Sequence, residues 1–320
     1  MQIDREAACR LLQTQDNILI LAHQKPDGDT LGSSFALYEA LTALGKKAKV
    51  LCGDEIPQKY GYLYAHIAFP KFEPQFVVAV DVADLKLLGK LESEYGTKVD
   101  LCIDHHPSNR EYAKQLLLDP ESPATALIIY DVIKGLRVPF TKRIANAVFT
   151  GLSTDTGCFR YANVTARTHR VAADMIEAGA EHGMINRLMF ETKSQQRLAI
   201  ENLTMSTLEY FLQGRLAVAY TTLEMMQHTG AADDDLEGIS SILRSIEGVE
   251  VAVSIKERAP GVYRASLRCY EPFNVSKICQ QLGGGGHAMA AGCTVEGSIE
   301  QAKQKIVTEI EKQFRALGEL

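Results

Sequence analysis

Val99-Asp100-Leu101-Cys102-Ile103-Asp104-His105-His106-Pro107 is the stretch on which the reading of the whole chain turns. An apolar run of about five residues, enough for a buried strand, ends in an acid and two adjacent histidines, and Pro107 stops it. Ligands of α/β proteins bind at strand ends of this kind. Successive side chains there point to opposite faces, so His105 and His106 need not do the same job. One can hold a metal through a ring nitrogen while the other faces a substrate. A histidine pair in a surface turn would look the same in isolation. The rest of the chain separates the two readings.

Upstream, residues 4–14 read as a short amphipathic helix and 17–22 as a buried strand. That strand delivers His23-Gln24-Lys25-Pro26-Asp27-Gly28-Asp29-Thr30, followed by a helix over 31–44 and a strand over 46–51. Strand, loop, crossover helix and strand make the βαβ unit of a parallel sheet. Gly28 lets the backbone turn so that Asp27 and Asp29 can converge. Asp29 or Thr30 could equally cap the helix, with Asp27 favouring its dipole. A third strand, 76–80, ends in Asp81-Val82-Ala83-Asp84. Here Asp84 reads as the cap of a helix over 85–95. Downstream of His106, helices are expected over 122–134 and 142–152. The second runs into Gly151-Leu152-Ser153-Thr154-Asp155-Thr156-Gly157, a small-residue turn with one central carboxylate.

Four segments therefore present carboxylate or imidazole where an element ends: His23/Asp27/Asp29, Asp81, His105/His106 and Asp155. Nitrogen and oxygen donors without sulfur favour Mn²⁺, Fe²⁺ or Mg²⁺ over structural zinc, and the imidazoles tilt the choice to Mn²⁺. Four carboxylates would neutralise two divalent ions; gathered without metal they would repel one another. Two metals about 4 Å apart, bridged by a carboxylate and a water, form a site that hydrolyses phosphate esters.

Past Tyr161 the sheet signals fade. Residues 167–179 and 184–210 read as helical, the second long, polar and a connector. From Gly214 a new α/β unit begins, with strands over 216–220, 249–256 and 262–269 and helices over 235–246 and 275–282. The last of these leads into Gly283-Gly284-Gly285-Gly286-His287-Ala288-Met289-Ala290-Ala291-Gly292. A flexible linker would explain four glycines alone. Flanked by a helix and an apolar strand, they can instead bring N–H groups up to a phosphate as an anion nest. A final helix over 299–317 reads as packing only. His66, His169, His182 and His228 read as ordinary surface or packing histidines. Arg160 stands near the Asp155 turn, where it either meets a phosphate or is an exposed loop arginine.

The set His23-x-x-x-Asp27-Gly28-Asp29, Asp81-x-x-Asp84, Asp104-His105-His106 and Asp155 resembles the four motifs of the DHH phosphoesterase superfamily. RecJ exonucleases, family II pyrophosphatases, exopolyphosphatases and short-RNA nucleases belong to it. The resemblance implies that His23, Asp27 and Asp81 hold one metal, and that Asp29, Asp81, His105 and Asp155 hold the other, with Asp81 bridging. It makes His106 the residue facing the phosphate and Asp104 the acid that fixes histidine orientation. Ser266-Leu267-Arg268, Asn274 and the glycine run resemble the DHH-associated substrate domain, which implies substrate contacts from Arg268, Gly284, Gly285, Gly286 and His287. In length and motifs the chain most resembles the stand-alone oligoribonucleases that also act as 3′-phosphoadenosine-5′-phosphate (pAp) phosphatases.

Composition sets bounds. At 320 residues and 46% hydrophobic, the chain can bury a sizeable core and should hold about two domains. A net charge of −6 and a pI near 5.8 argue against long duplex nucleic acid, which wants a basic face, but not against short anionic substrates. Seven scattered cysteines without a CxxC pair fit reduced thiols. With no leader and no apolar run of ~18 residues, a soluble cytoplasmic protein without membrane contact is expected.

The expected architecture is a two-domain α/β enzyme. A DHH catalytic domain over 1–187 has a mainly parallel sheet flanked by helices. A helical linker spans 188–213, and a smaller α/β DHH-associated domain spans 214–320, with the active site at the cleft between the domains. The expected chemistry is hydrolysis by a metal-activated hydroxide at a binuclear, preferably Mn²⁺, centre. The expected substrates are short single-stranded RNA of about two to five nucleotides and pAp. A cyclic-di-AMP or pApA phosphodiesterase is the alternative within the same chemistry, and a non-catalytic nucleotide-binding module the alternative outside it. A homodimer is compatible with the sequence and not demanded by it.

Overall fold

Apolar runs with almost no polar interruption become the strands β1 (Ile18–Ala22), β2 (Ala48–Cys52), β3 (Phe76–Val80) and β4 (Leu101–Asp104). A fifth strand, β5 (Gln115–Leu118), lies at the sheet edge and was not expected; it is only four residues long and follows β4 without a crossover helix. All pairings are parallel, in the order β2-β1-β3-β4-β5. β1 and β3 are buried along their whole length, as a parallel sheet covered on both faces requires. Ile18 and Ile20 of β1 pack into the core beneath the long helices, whereas Leu19 and Leu21 pack into a smaller cluster on the other face. In this strand order the switch point lies between β1 and β3, the crevice where such sheets bind ligands. The computed structural model describes residues 1–318, and within it the chain divides into two compact units, Met1–Thr192 and Lys193–Leu320. The last two residues of the expected second domain lie outside the described residues.

In the first unit the helices depart from expectation at points that bear on function. The helix expected over 31–44 is Gly28–Ala43, capped by Asp27, whose side chain accepts from the N–H groups of Asp29 and Thr30. The cap is thus Asp27, not Asp29 or Thr30. The helix expected over 85–95 breaks at Gly89, whose φ of 57° no α-helix accommodates, into a 3-10 stretch Leu85–Leu91 and a short helix Glu92–Tyr95. Asp84 does cap its start, accepting from Lys86 N–H. The helix expected over 142–152 runs on to Asp155, so that carboxylate ends a helix rather than centring a turn. The long connector helix expected over 184–210 does not exist as one element. It is divided into His182–Asn186, a π-turn Arg187–Glu191 and a new helix Gln195–Met205, which Ser194 caps by accepting from Arg197 N–H.

A six-stranded mixed sheet forms the second unit: β6 (Glu209–Phe211), β7 (Leu216–Thr221), β8 (Val251–Ala259), β9 (Val262–Cys269), β10 (Gly285–His287) and β11 (Ala290–Glu296), in the order β10-β11-β9-β8-β7-β6. Only β7 and β8 pair parallel. One sheet face is covered by the helices Val275–Gln281 and Ile299–Ala316, whose Ile278, Ile306, Ile310 and Phe314 enter the core. The helix expected over 235–246 is a 3-10 turn Asp233–Leu236 and a helix Ile239–Arg244, separated by Gly238 at φ 84°. The glycine run, expected as a loop, is largely strand. Gly283 (φ 73°) ends the preceding helix, and β10 pairs antiparallel with β11. A Cβ at Gly284 would lie 2.2 Å from the Gly292 carbonyl oxygen, and one at Gly286 2.6 Å from that of Ala290. Both glycines are therefore required by close strand packing.

Candidate metal centre

The carboxyl ends of β1, β3 and β4 lie side by side at the switch point and carry His23, Asp81 and Asp104-His105-His106. Two helices bring the remaining acids. Gly28–Ala43 and Lys142–Asp155 cross through a seam of small residues: a Cβ at Gly32 would fall 2.4 Å from the Ala147 carbonyl, and one at Gly151 2.7 Å from Asp29 Oδ1. Glycine at 32 and 151 thus allows the approach that gathers Asp29 and Asp155. Asp81 leaves β3 with φ 61°, a left-handed conformation that aspartate tolerates better than most residues.

The donors then converge. His23 Nε2 lies 3.6 Å from Asp27 Oδ1 and 3.7 Å from Asp81 Oδ2. His105 Nε2 lies 3.4 Å from Asp155 Oδ2, 3.8 Å from Asp81 Oδ1 and 3.9 Å from Asp29 Oδ2. These separations exceed hydrogen-bond length. They fall within the range expected of ligands on a shared ion at about 2.1 Å, which stand roughly 3.0–4.2 Å apart in an octahedron. Candidate groups of three form at His23/Asp27/Asp81, at Asp29/His105/Asp155 and at Asp81/His105/His106.

Hydrogen bonds fix which ring nitrogens face the cluster. The His23 Nδ1–H donates to the Gln24 carbonyl (2.8 Å) and the His105 Nδ1–H to the Ser122 carbonyl (3.0 Å), leaving both Nε2 lone pairs aimed at the carboxylates. Metal-ligating histidines are oriented in this way. His106 is different. Its Nδ1–H donates to Asp104 Oδ1 at 2.8 Å, although that nitrogen is also 3.6 Å from Asp81, and the side chain is 42% exposed. Asp104 itself is fully buried and also accepts from the backbone N–H groups of His105 and His106 and from Asn109 Nδ2.

The carboxylates are electrostatically frustrated. Burial, and then Asp155 and Asp27, push Asp29 well above its ordinary pKa. Burial and the neighbouring Asp29, Asp27 and Asp104 do the same to Asp81. Asp155 is also raised, by burial first. Desolvation would raise Asp27 too, but the neighbouring His23 imidazole and the hydrogen bonds from the Thr30 and Asp29 N–H groups hold it below the usual range. His106 is raised by its bond to Asp104. Among the described residues no lysine or arginine pairs with Asp27, Asp29, Asp81 or Asp155; their only ion-pair partners are histidines. Divalent cations would relieve this repulsion, so the residues present fit a metal pair.

Several supporting groups escaped the sequence reading. Thr125 donates its backbone N–H to Asp29 Oδ2 (2.6 Å) and its hydroxyl to Asp81 Oδ1 (2.8 Å), and Ala126 N–H donates to Asp29 Oδ1 (2.9 Å). The helix Thr125–Gly135 has Ala124 at its N-cap, which offers no side-chain acceptor; the Asp29 carboxylate fills that role from 96 residues away. Alanine at a helix start is the one sequence signal that could have pointed there. Ser33, whose hydroxyl donates to Asp29 Oδ1 (3.1 Å), and Asn109 gave none.

Of the expected substrate residues, Arg160 is exposed and folded back, donating Nε–H to the Gly157 carbonyl at 2.7 Å. Arg268, Gly284, Gly285, Gly286 and His287 belong to the second unit. There His287 pairs with Ala290, and Ala290 with Arg268, so the three side chains share one sheet face.

The DHH family N-terminal domain matches residues 17–152, and the DHHA1 domain matches residues 214–316. The chain is 32% identical over 319 residues to the bifunctional oligoribonuclease and PAP phosphatase NrnA of Thermus thermophilus, covering 95% of this chain and 92% of that protein. It is 21% identical to the protein of the same name from Bacillus subtilis, over 89% and 91% of the two chains. A crystal structure of an exopolyphosphatase-related protein from Bacteroides fragilis shares the fold, with a TM-score of 0.88 over 98% of this chain and 97% of that one at 22% identity. The chain belongs to the DHH phosphoesterase superfamily, in the branch with a DHHA1 domain that includes the bifunctional oligoribonuclease and PAP phosphatase proteins.

Proposed function

We propose that this protein is a metal-dependent hydrolase of short RNA, about two to five nucleotides long, and of the 3′-phosphate of pAp, working with two divalent ions, Mn²⁺ by preference. The observation that carries this reading is the tethering of both Nδ1–H groups of His23 and His105 to backbone carbonyls, which aims two imidazole lone pairs at four converging carboxylates, two of them (Asp29 and Asp81) buried, without a lysine or arginine among them. The names of the relatives add the substrate class. His23, Asp27 and Asp81 would hold one ion and Asp29, Asp81, His105 and Asp155 the other. Bound there, the ions would activate a water and neutralise phosphate charge.

The chain's own residues do the rest. Asp104 keeps a proton on His106 Nδ1 and favours the imidazolium, whose exposed Nε2–H can donate to a phosphate oxygen as charge develops. Thr125 and Ala126 hold Asp29 and Asp81 in place through hydrogen bonds. In this reading residues 1–187 carry the chemistry, 188–213 connect, and 214–320 grip the substrate through Arg268, His287 and the Gly284–Gly286 strand. Arg160 contributes from the first unit.

The test is a substrate series in metal-stripped and Mn²⁺-reconstituted protein: di- to pentanucleotide RNA, pAp, pApA, cyclic-di-AMP and pyrophosphate. Short RNA and pAp should be turned over only in the reconstituted protein. Full turnover in excess chelator would remove the metal centre. A reconstituted protein that binds these nucleotides and hydrolyses none would be a binding module.

A further inference from the structure

On β9, Arg264, Ser266 and Arg268 alternate with the buried Tyr263, Ala265, Leu267 and Cys269, so the first three project from one face of the second sheet. β8 adds Ser254, Lys256 and Arg258 to that face, with Ser254 paired to Ser266 and Lys256 to Arg264. These side chains line a cavity of about 460 Å³ that the Asp233 turn borders. The face holds more positive charge than a single phosphate contact needs.

Lys256 and Arg264 are paired across neighbouring strands, and their charged ends part, Lys256 turning to Asp233 and Arg264 leaning towards β11. In the structure Asp233 supplies an anion. Its two carboxylate oxygens accept from Lys256 Nζ and Arg258, and these bonds hold its carboxyl below the usual range. Asp233 remains 58% exposed, whereas Lys256 is 17% exposed. The carboxylate therefore sits on the open side of the cluster, where an incoming anion can replace it. Arg264 makes no ion pair among the described residues. Its guanidinium lies over Gly292, where an added Cβ would come within 3.0 Å of it.

We propose that Lys256 and Arg258 form a second phosphate subsite for short RNA, separate from that of Arg268 and with Arg264 between the two, and that Asp233 holds it in the absence of RNA. The inference rests on the phosphoesterase reading above and deepens it. Arg268 pairs with Ala252 on β8, four residues from Lys256, roughly 13 Å along the strand, and the Arg264 guanidinium leans over Gly292 between the two positions. A phosphate that takes the place of Asp233 at Lys256 and Arg258 is thus not the one at Arg268, and belongs to another nucleotide of the same strand. Compact pAp and dinucleotides engage Arg268, while three or more nucleotides reach the second subsite as well. The cluster acts as a length gauge, and Asp233 sets the affinity a strand must have to displace it.

The experiment uses full-length, Mn²⁺-loaded protein and the variants Arg264→Ala, Lys256→Ala and Asp233→Asn, with pAp and RNA of two, three and four nucleotides. For Lys256→Ala the rise in KM on the tetranucleotide should exceed that on pAp by about tenfold, the worth of one charged hydrogen bond, with Arg264→Ala raising KM on both. Asp233→Asn should tighten tetranucleotide binding several-fold at low salt. Binding of the tetranucleotide in chelator, followed by fluorescence anisotropy, should lose about 0.7 of its log–log salt slope in Lys256→Ala, one phosphate's share for a single strand. Equal losses on pAp and the tetranucleotide in Lys256→Ala would merge this cluster with the Arg268 site. No loss at any length in that variant, with an unchanged salt slope, would reduce it to a structural pairing with Asp233. A wild type that hydrolyses no RNA would overturn the proposed activity instead, and the chelated binding series would still decide the subsite.

Discussion

The two units pose opposite electrostatic problems. In Met1–Thr192, Asp27, Asp29, Asp81 and Asp155 converge with no lysine or arginine among them, and burial drives three of the four up in pKa. In Lys193–Leu320, Lys256, Arg258, Arg264 and Arg268 gather on one sheet face and draw in Asp233. A folded chain tolerates like charges only where something of the opposite sign is bound or borrowed. The first unit gathers acids and the second gathers bases. In the proposed reading divalent metal answers the first and phosphate the second. The two sets of charges sit on different cores, as the proposed division between chemistry and grip requires.

The sharpest way to break this division lies in the adjacent histidines of the first unit. His105 offers Nε2 to three carboxylates, while His106 spends Nδ1 on Asp104. His105→Ala should therefore lose metal, measured by elemental analysis after dialysis, together with activity. His106→Ala should retain both ions while the rate falls by roughly 10²–10³-fold, as for loss of one transition-state donor. Equal metal loss in both variants would place His106 among the ligands, through the Asp81/His105/His106 grouping.

The second unit predicts a smaller effect that depends on the substrate. Arg268→Ala should lower kcat/KM on short RNA and pAp by roughly 10–100-fold, the worth of a charged hydrogen bond. An activated phosphodiester too small to reach Arg268 should lose far less. Remote binding can appear in kcat as well as in KM, so both belong in the measurement. A comparable loss on both substrates would mean that Arg268 serves the reacting phosphate itself, and the separation of grip from chemistry would fail.

Much of the first unit was legible because its signals are local. β1, β3 and β4 are uninterrupted apolar runs, and each ends in the residue type that the site uses. What remained hidden depends on distant partners. No pattern near Thr125 announces that it will bind both Asp29 and Asp81, since those bonds cross 96 and 44 residues. Gly32 and Gly151 fall within expected helices, where nothing in the sequence marks them as the seam that lets two helices meet. The long connector helix misled for a related reason: helical composition continues through Thr192, but Ser194 starts a fresh helix with its own cap. The glycine run misled most. Its flexibility in sequence is replaced by a strand that needs glycine because β11 lies so close.

The smallest expected effect is thermodynamic, and it tests whether the first unit is cation-starved at all. Asp29 and Asp81 have folded pKa values raised well above 3.8. For a raised carboxyl, the stabilising contribution is complete below the unfolded pKa of about 4 and is lost as pH rises through the folded value. Asp27 and Asp104 are lowered, so their contribution is present above that pKa and is lost only on further acidification. Metal-free protein should therefore melt highest in mild acid and lose a few degrees of Tm towards neutrality. Mn²⁺-loaded protein should behave oppositely, because the ions bind deprotonated carboxylates. Scanning calorimetry from about pH 5 to pH 8 should show the gap between loaded and chelated protein widening with pH. Asp81→Asn keeps an oxygen for the Thr125 hydroxyl and removes the charge. In chelator it should melt above wild type at the upper end of that range and match it more closely at the lower end, while hydrolysis is lost. If chelated wild type and Asp81→Asn keep the same difference in Tm at every pH, the buried carboxylates do not strain the metal-free fold, and the contrast between the two units loses its physical basis.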